Sequence, residues 1–498
     1  MTTTTTLDPR VDEFLAAGAT RLLIGGDWVE AADGATFETL NPATGQPLMR
    51  CASADREDVD RAVAAASAAA DGAWKKITPS ERGQLLWRVA ELLERDADAL
   101  AQLEVLDMGK PLRLARDDDL PMAIDHFRYF AGWATKLEGE TIPVSAGAYF
   151  NYTVREPLGV VGLIIPWNYP LMLAAWKLAP ALACGNTCLL KPAEQTPLTS
   201  VWLGRLLLEA GFPPGVVNIL TGFGETAGAA ITEHPGVAGV AFTGSTAVGR
   251  EIVRASAGNL KRTALELGGK SPNVVFADAD LEAAVAGAAH AIFYNMGQDC
   301  AAGSRLFVQD QVYDELVSGL SAKASALRLG PGLEAGVDQG PLVSAEQLDR
   351  VTGYLRAGRD EGAVAVTGGG RPDDPRLSQG YYVQPTVFRD ATNAMTIARE
   401  EIFGPVVTVI PFRDADDAVL QSNATNYGLG AGVWTRDIKK AHRAAAALKA
   451  GSVWINCYNV YDAASPFGGY KESGFGREMG RHNLDLYTQV KSVWVDLS

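Results

Sequence analysis

Short runs apolar on both faces recur along the chain at Val160–Ile165, Thr187–Leu190, Val216–Leu220, Val237–Phe242, Ala264–Leu267 and Asn273–Phe276. Helical stretches separate them, and that alternation reads as α/β architecture with a parallel sheet covered on both sides. Upstream, Thr78-Pro79-Ser80-Glu81 predicts a helix start, with Thr78 as cap and Glu81 closing a capping box. Leu85, Leu86, Val89, Leu92 and Leu93 follow at helical spacing. Thr196-Pro197 opens a further helix, and Gly211 with Pro213-Pro214 stops it. Gly368–Gly380 reads as a surface loop, and no fixed-period repeat is present. Ser145–Val154 and Leu486–Leu497 alternate like sheet edges. The pattern alone leaves open whether those edges pair within the chain or with another subunit.

Leu158 to Trp176 runs without a charge, which raises a membrane span. Pro166, Asn168 and Pro170 at its centre and Lys177 at its end instead predict a buried strand, a turn and a helix. Met1–Arg10 has no basic, apolar leader pattern, and Thr2–Thr6 read as a frayed tail. Of 498 residues, 47% are apolar and 21% charged, ample for several domains. A net charge of −15 lacks the basic footprint of a nucleic-acid or anionic-membrane binder. The 5 cysteines have no CxxC spacing, which points to a reducing compartment and makes the cytoplasm the default. The 5 histidines form no HxH or HExxH, so no metal site is visible.

Several motif matches fail on inspection. Gly222-Phe223-Gly224 and Gly474-Phe475-Gly476 begin a dinucleotide fingerprint, but the third glycine comes one residue late, at Gly228 and Gly480. Gly269-Lys270-Ser271 mimics the end of a phosphate-binding loop, yet its first glycine position holds Ala264. No GxSxG nucleophile elbow is present. What remains is Cys300, in Asn295-Met296-Gly297-Gln298-Asp299-Cys300-Ala301-Ala302-Gly303-Ser304-Arg305. Small neighbours let a substrate approach, and a nucleophilic cysteine needs its thiolate. A small buried hydrophobe is the alternative reading of the same residue.

The wider context resembles the NAD(P)-dependent aldehyde dehydrogenase superfamily over essentially the whole length. The matching blocks are Pro166-Trp167-Asn168-Tyr169-Pro170, Phe242-Thr243-Gly244-Ser245-Thr246, Glu266-Leu267-Gly268-Gly269-Lys270-Ser271-Pro272, Gly297 to Arg305, Glu401-Ile402-Phe403-Gly404-Pro405 and Pro466-Phe467-Gly468-Gly469-Tyr470-Lys471. The resemblance implies that Cys300 attacks an aldehyde, that Asn168 and the Cys300 N–H hold the oxyanion, and that Glu266 activates the hydrolytic water. It further implies that Lys177 and Glu478 relay protons, with plain helix charges as the alternative.

For the cofactor, the resemblance implies NAD, held by Ile164, Ile165, Pro166, Trp167, Lys191, Glu194, Gly224, Phe242, Thr243, Gly244, Ser245 and Leu267, with Glu401 and Phe403 on the nicotinamide side. A carboxylate at Glu194 accepts from ribose hydroxyls and repels a 2′-phosphate, which favours NAD over NADP. Tyr169, Trp176, Tyr294, Asp299, Tyr461 and Phe467 match the aldehyde tunnel, suited to an aliphatic, aromatic or ω-amino aldehyde. Asp299 departs from the apolar or cysteine residue common before the nucleophile. It favours a cationic aldehyde if it faces the tunnel, and its charge disfavours a thiolate beside it.

The implied fold is aldehyde-dehydrogenase-like: a Rossmann-type nucleotide-binding domain (1–133 and 157–267), an α/β catalytic domain (268–472), a linking segment (473–482) and a β-strand oligomerisation element (134–156 and 483–498). A homodimer or homotetramer goes with it. Glu266 argues against a coenzyme-A-acylating reaction, and the Cys300–Glu266–Asn168 set argues against an inert binding relative.

Overall fold

The computed structural model describes residues 5–498. The apolar runs form strands β1 (Val160–Ile164), β2 (Thr187–Lys191), β3 (Val217–Ile219), β4 (Gly239–Thr243) and β5 (Arg262–Glu266), ordered β3-β2-β1-β4-β5 and parallel throughout. Every residue of β1 to β4 is buried, as a sheet covered on both faces requires. Antiparallel pieces extend this sheet to 8 strands: Leu22–Ile24 with Asp27–Val29 beside β3, and Gly474–Phe475 beside β5. The last pairing falls inside the stretch read as a linker. The register sets Ile164 beside Phe242 and Lys191, and Thr243 beside Glu266. The carboxyl ends of these strands therefore finish level, and the strand order reverses at β1, where open α/β sheets hold ligands.

Helices cover the sheet as the sequence predicts. Helix α1 (Pro79–Arg95) begins with the Thr78–Glu81 capping box and buries Leu86, Val89, Leu92 and Leu93. Helix α2 (Pro170–Ala183) follows the turn after β1 and is buried along its whole length. Helix α3 (Leu198–Ala210) ends at left-handed Gly211, but Thr196 does not cap it. Asp107, distant in sequence, accepts the Leu198 N–H at 2.9 Å instead. Helix α4 (Thr246–Ser256) is capped by Ser245, whose hydroxyl accepts from the Val248 N–H.

A second, 7-stranded sheet is built from β6 (Pro272–Val275), β7 (Arg305–Gln309), β8 (Val364–Thr367), β9 (Thr386–Arg389), β10 (Val406–Phe412), β11 (Gly430–Trp434) and β12 (Ser452–Ile455), ordered β8-β9-β10-β7-β6-β11-β12. Only the β8–β9 pair is antiparallel. The two alternating edge stretches pair with each other: Tyr149–Pro157 runs antiparallel to Thr488–Asp496, with Thr141–Ile142 on its other side. Among the described residues no helix is long and apolar enough to cross a membrane. Thr2–Thr4 of the predicted tail lie outside the described residues, and the Thr5 N–H donates to the Leu333 carbonyl at 3.0 Å.

Candidate active site

Between the carboxyl edge of the first sheet and the loops of the second lies a cavity of about 650 Å³. Cys300 reaches it from a strained loop. Asn295, Met296 and Gly297 are successive left-handed residues, with φ of +46°, +56° and +66°. Non-glycine residues hold that conformation only when their surroundings enforce it. Here Asn295 Nδ2 donates to the Asn168 and Gln298 carbonyls at 3.1 Å each, and the Gln298 side-chain carbonyl accepts from the Val343 N–H at 3.0 Å. Gly297 is obligatory on space as well, since a Cβ there would stand 2.1 Å from the Gly404 carbonyl oxygen. The loop delivers Cys300 part-exposed to the cavity.

Asn168 sits in the turn after β1, buried, with its side-chain N–H2 donating to the Gln298 carbonyl at 3.0 Å. One of its two N–H donors is thus spent on the nucleophile loop and the other remains. Among the described residues no group accepts from the Cys300 backbone N–H.

Glu266 ends β5 at the cavity wall, buried, and among the described residues neither carboxylate oxygen has a hydrogen-bond partner. Burial, reinforced by the charge of Glu478, holds its pKa well above the ordinary carboxylate range. Lys177 and Glu478 do not line the cavity. They form a buried ion pair behind it, Nζ to Oε1 at 2.5 Å, close enough for both charges to act on Glu266. Removing one partner of a buried pair strands the other charge and costs about 3–5 kcal/mol. Lys177→Met is therefore expected to lower stability by that amount in urea denaturation. A wild-type midpoint would show the pair to be energetically idle.

Of the residues matched to the cofactor, Pro166, Trp167, Thr243, Gly244, Ser245, Leu267, Glu401 and Phe403 line the cavity. Ser245, the cap of α4, brings the start of that helix to this wall, where first-turn N–H groups have no partner within a helix. The Thr243 hydroxyl is buried without a partner among the described residues. Glu401 Oε1 accepts the Gly269 N–H at 3.0 Å, and burial raises its pKa to about 6. Gly268 leaves Glu401 its room, because a Cβ there would fall 2.3 Å from Oε2. Trp167 and Phe403 meet edge to face at 5.1 Å.

Ile164, Ile165, Phe242, Lys191, Glu194 and Gly224 lie outside the cavity lining. The first three are buried in the sheet and its exit turns. Lys191 ends β2, with Nζ 3.4 Å from Glu194 Oε2 and within reach of the charge of Glu225, which follows Gly224. Burial outweighs both acids and lowers the Lys191 pKa. These residues form a separate group at the end of β2.

All the aromatics matched to the tunnel line the cavity. Trp176 and Phe467 meet at 5.8 Å, and Tyr461 and Phe467 at 5.4 Å. Asp299 does face the cavity. Sequence reasoning missed Asp117, Asp118, Met122, His290, Gln347, Arg350 and Asn459 in the wall. Asp118 accepts from the Tyr294 hydroxyl at 3.2 Å, and His290 packs on the Tyr294 ring at 4.9 Å. Asp117, Asp118 and Asp119 close a π-helical turn, Ala115–Asp119, that brings them to the wall.

Residues 28–493 match the aldehyde dehydrogenase family. A human mitochondrial aldehyde dehydrogenase is 51% identical over 478 residues, covering 95% of this chain and 92% of its own. An aldehyde dehydrogenase of Aspergillus niger is 49% identical over 473 residues, covering 95% and 94%. An aldehyde dehydrogenase from Bacillus cereus, solved as its NAD⁺ complex, superposes with a TM-score of 0.97 at 51% identity, covering 100% of both chains. With the match spanning nearly the full length, this chain belongs to the aldehyde dehydrogenase family.

Proposed function

We propose that this protein oxidises an aldehyde to its carboxylic acid with NAD as hydride acceptor, through a covalent intermediate on Cys300. The observation that carries this reading is the convergence on one cavity of Cys300 with its free N–H, Asn168 with a spare donor, and the unpartnered carboxylate of Glu266. The Cys300 sulfur adds to the aldehyde carbon to give a thiohemiacetal, and the oxyanion falls to Asn168 and the Cys300 N–H. One such donor is worth roughly 10²–10³ in rate. The cofactor supplies a hydride acceptor, and loss of the hydride leaves a thioester on Cys300. Glu266 then takes a proton from water, which attacks the thioester carbonyl. The acid departs and Cys300 is freed. Burial suits Glu266 to the task, since it moves the carboxylate towards the pKa of a working base.

The residues present fit a dinucleotide. The start of α4 and the orphan Thr243 hydroxyl supply donors for a pyrophosphate, Lys191 and Glu194 suit the adenosine ribose, and Glu401 with Phe403 the nicotinamide side. Relief of like-charge repulsion is expected to make Glu194→Gln raise the NADP-to-NAD ratio of kcat/KM by about tenfold or more. An unchanged ratio would remove Glu194 from cofactor choice. Propanal, hexanal, phenylacetaldehyde, 4-aminobutanal and betaine aldehyde, each with and without coenzyme A, test the reaction. NADH formation without coenzyme A supports hydrolysis, and strict dependence on it contradicts the reading.

We further propose the three-part division with boundaries 1–133 with 157–267, 268–472, and 134–156 with 483–498. The last part is exposed and apolar at Tyr149, Phe150, Trp494 and Val495, which supports pairing with further copies as a homodimer or homotetramer. The free cysteines support a reducing compartment, the cytoplasm.

A further inference from the structure

Asp299 precedes Cys300 directly, and its carboxylate is already held by the protein. Oδ1 accepts the Ala301 N–H at 2.8 Å, a turn that closes around Cys300 itself. Oδ2 accepts the Tyr169 hydroxyl at 3.3 Å and the Asn459 side-chain N–H2 at 3.0 Å. These donors come from opposite walls: Tyr169 stands at the cap of α2, and Asn459 lies beyond β12. Both are braced in turn. The Asn459 side-chain carbonyl accepts from the Tyr461 hydroxyl at 3.2 Å. The fully buried Lys110 ammonium lies 4.5 Å over the Tyr169 ring and is paired with Glu104 at 2.8 Å and with Asp119.

We propose that Asp299 is the positioning residue of the nucleophile, tying the Cys300 turn to both cavity walls and holding a negative charge against the thiol. This rests on Cys300 being the nucleophile. It differs from the role of receptor for a cationic aldehyde. A carboxylate offers about four acceptor positions, and protein donors from three residues already converge on this one. The groups acting on Cys300 from its surroundings are acidic: Asp299 from its own loop, Glu266 from β5 and Glu401 from the segment before β10. Burial raises the thiol pKa most, and among these charges Asp299 raises it most. Burial also raises the pKa of Asp299 itself, against the Ala301, Tyr169 and Asn459 donors that favour its charged form.

The test is the pH dependence of iodoacetamide alkylation, read by mass on the Cys300 peptide. Asp299→Asn removes the charge and keeps an acceptor for the Ala301 N–H, and its alkylation midpoint is expected to fall by about one pH unit or more. Tyr169→Phe keeps the charge and frees one wall, so its midpoint is expected to stay with the wild type while kcat for hexanal falls. A wild-type midpoint in Asp299→Asn, with Cys300→Ala inactive, would overturn the positioning role alone. Turnover surviving in Cys300→Ala would overturn both readings. Loss confined to 4-aminobutanal and betaine aldehyde in Asp299→Asn, with hexanal kinetics intact, would make Asp299 a substrate receptor and also overturn the proposal.

Discussion

Replacing Cys300 with alanine is expected to lower aldehyde oxidation by roughly 10³–10⁶-fold, because a covalent route loses its only bond to the substrate. NAD affinity is expected to survive. The Lys191–Glu194 group lies outside the cavity that holds Cys300, and the start of α4 is fixed by Ser245 regardless of the thiol. Steady-state NADH formation and a titration of NAD against tryptophan fluorescence measure the two effects separately. Loss of both together would mean that the variant has collapsed the cavity rather than removed a nucleophile. Turnover near the wild-type rate would overturn the assignment.

Glu266→Gln is expected to slow the steady state by about 10²–10⁴-fold, the usual contribution of a positioned base. Hydride loss precedes the step that needs this carboxylate, so the variant should release a burst of NADH stoichiometric with protein and then stall. The pH profile gives an independent check. A general base works only when deprotonated, and the Glu266 pKa is raised by burial and by Glu478. The wild-type rate should therefore fall as pH drops through a value above the ordinary carboxylate range, and the slow residual rate of the glutamine variant should lack that limb. A wild-type rate without a burst would remove Glu266 from the mechanism.

The parallel strands β1 to β4 were legible because each is buried on both faces and is largely apolar, as Val160–Ile164 and Gly239–Thr243 show. The parallel strands of the second sheet after β6 were not read from the sequence, although Val406–Phe412, save Pro411, and Gly430–Trp434 are as deeply buried. The edge pieces were not legible. Gly474–Phe475 is too short to carry a period, and its pairing with β5 is decided by a fold that brings distant segments together. Likewise Thr196-Pro197 has the composition of a helix start, but the Leu198 N–H is satisfied by Asp107, which no local rule reveals.

Cys300, Asn168 and Glu266 stood out by their matched blocks, and the structure brings them to one cavity. Lys177 and Glu478 were matched one by one, whereas their ion pair joins residues 301 positions apart. Asp118, His290 and Asn459 were missed because polar residues on helices and loops look solvated until another element covers them. The role of Asp299 stayed open in sequence for a related reason, since its hydrogen-bond donors Tyr169 and Asn459 are remote from it along the chain.

The most direct test of covalent aldehyde oxidation is mass analysis of the Cys300 peptide from Glu266→Gln protein quenched just after mixing with NAD and hexanal. A hexanoyl group is expected on Cys300 in an amount equal to the NADH released. NADH released with the Cys300 peptide unmodified would contradict covalent oxidation.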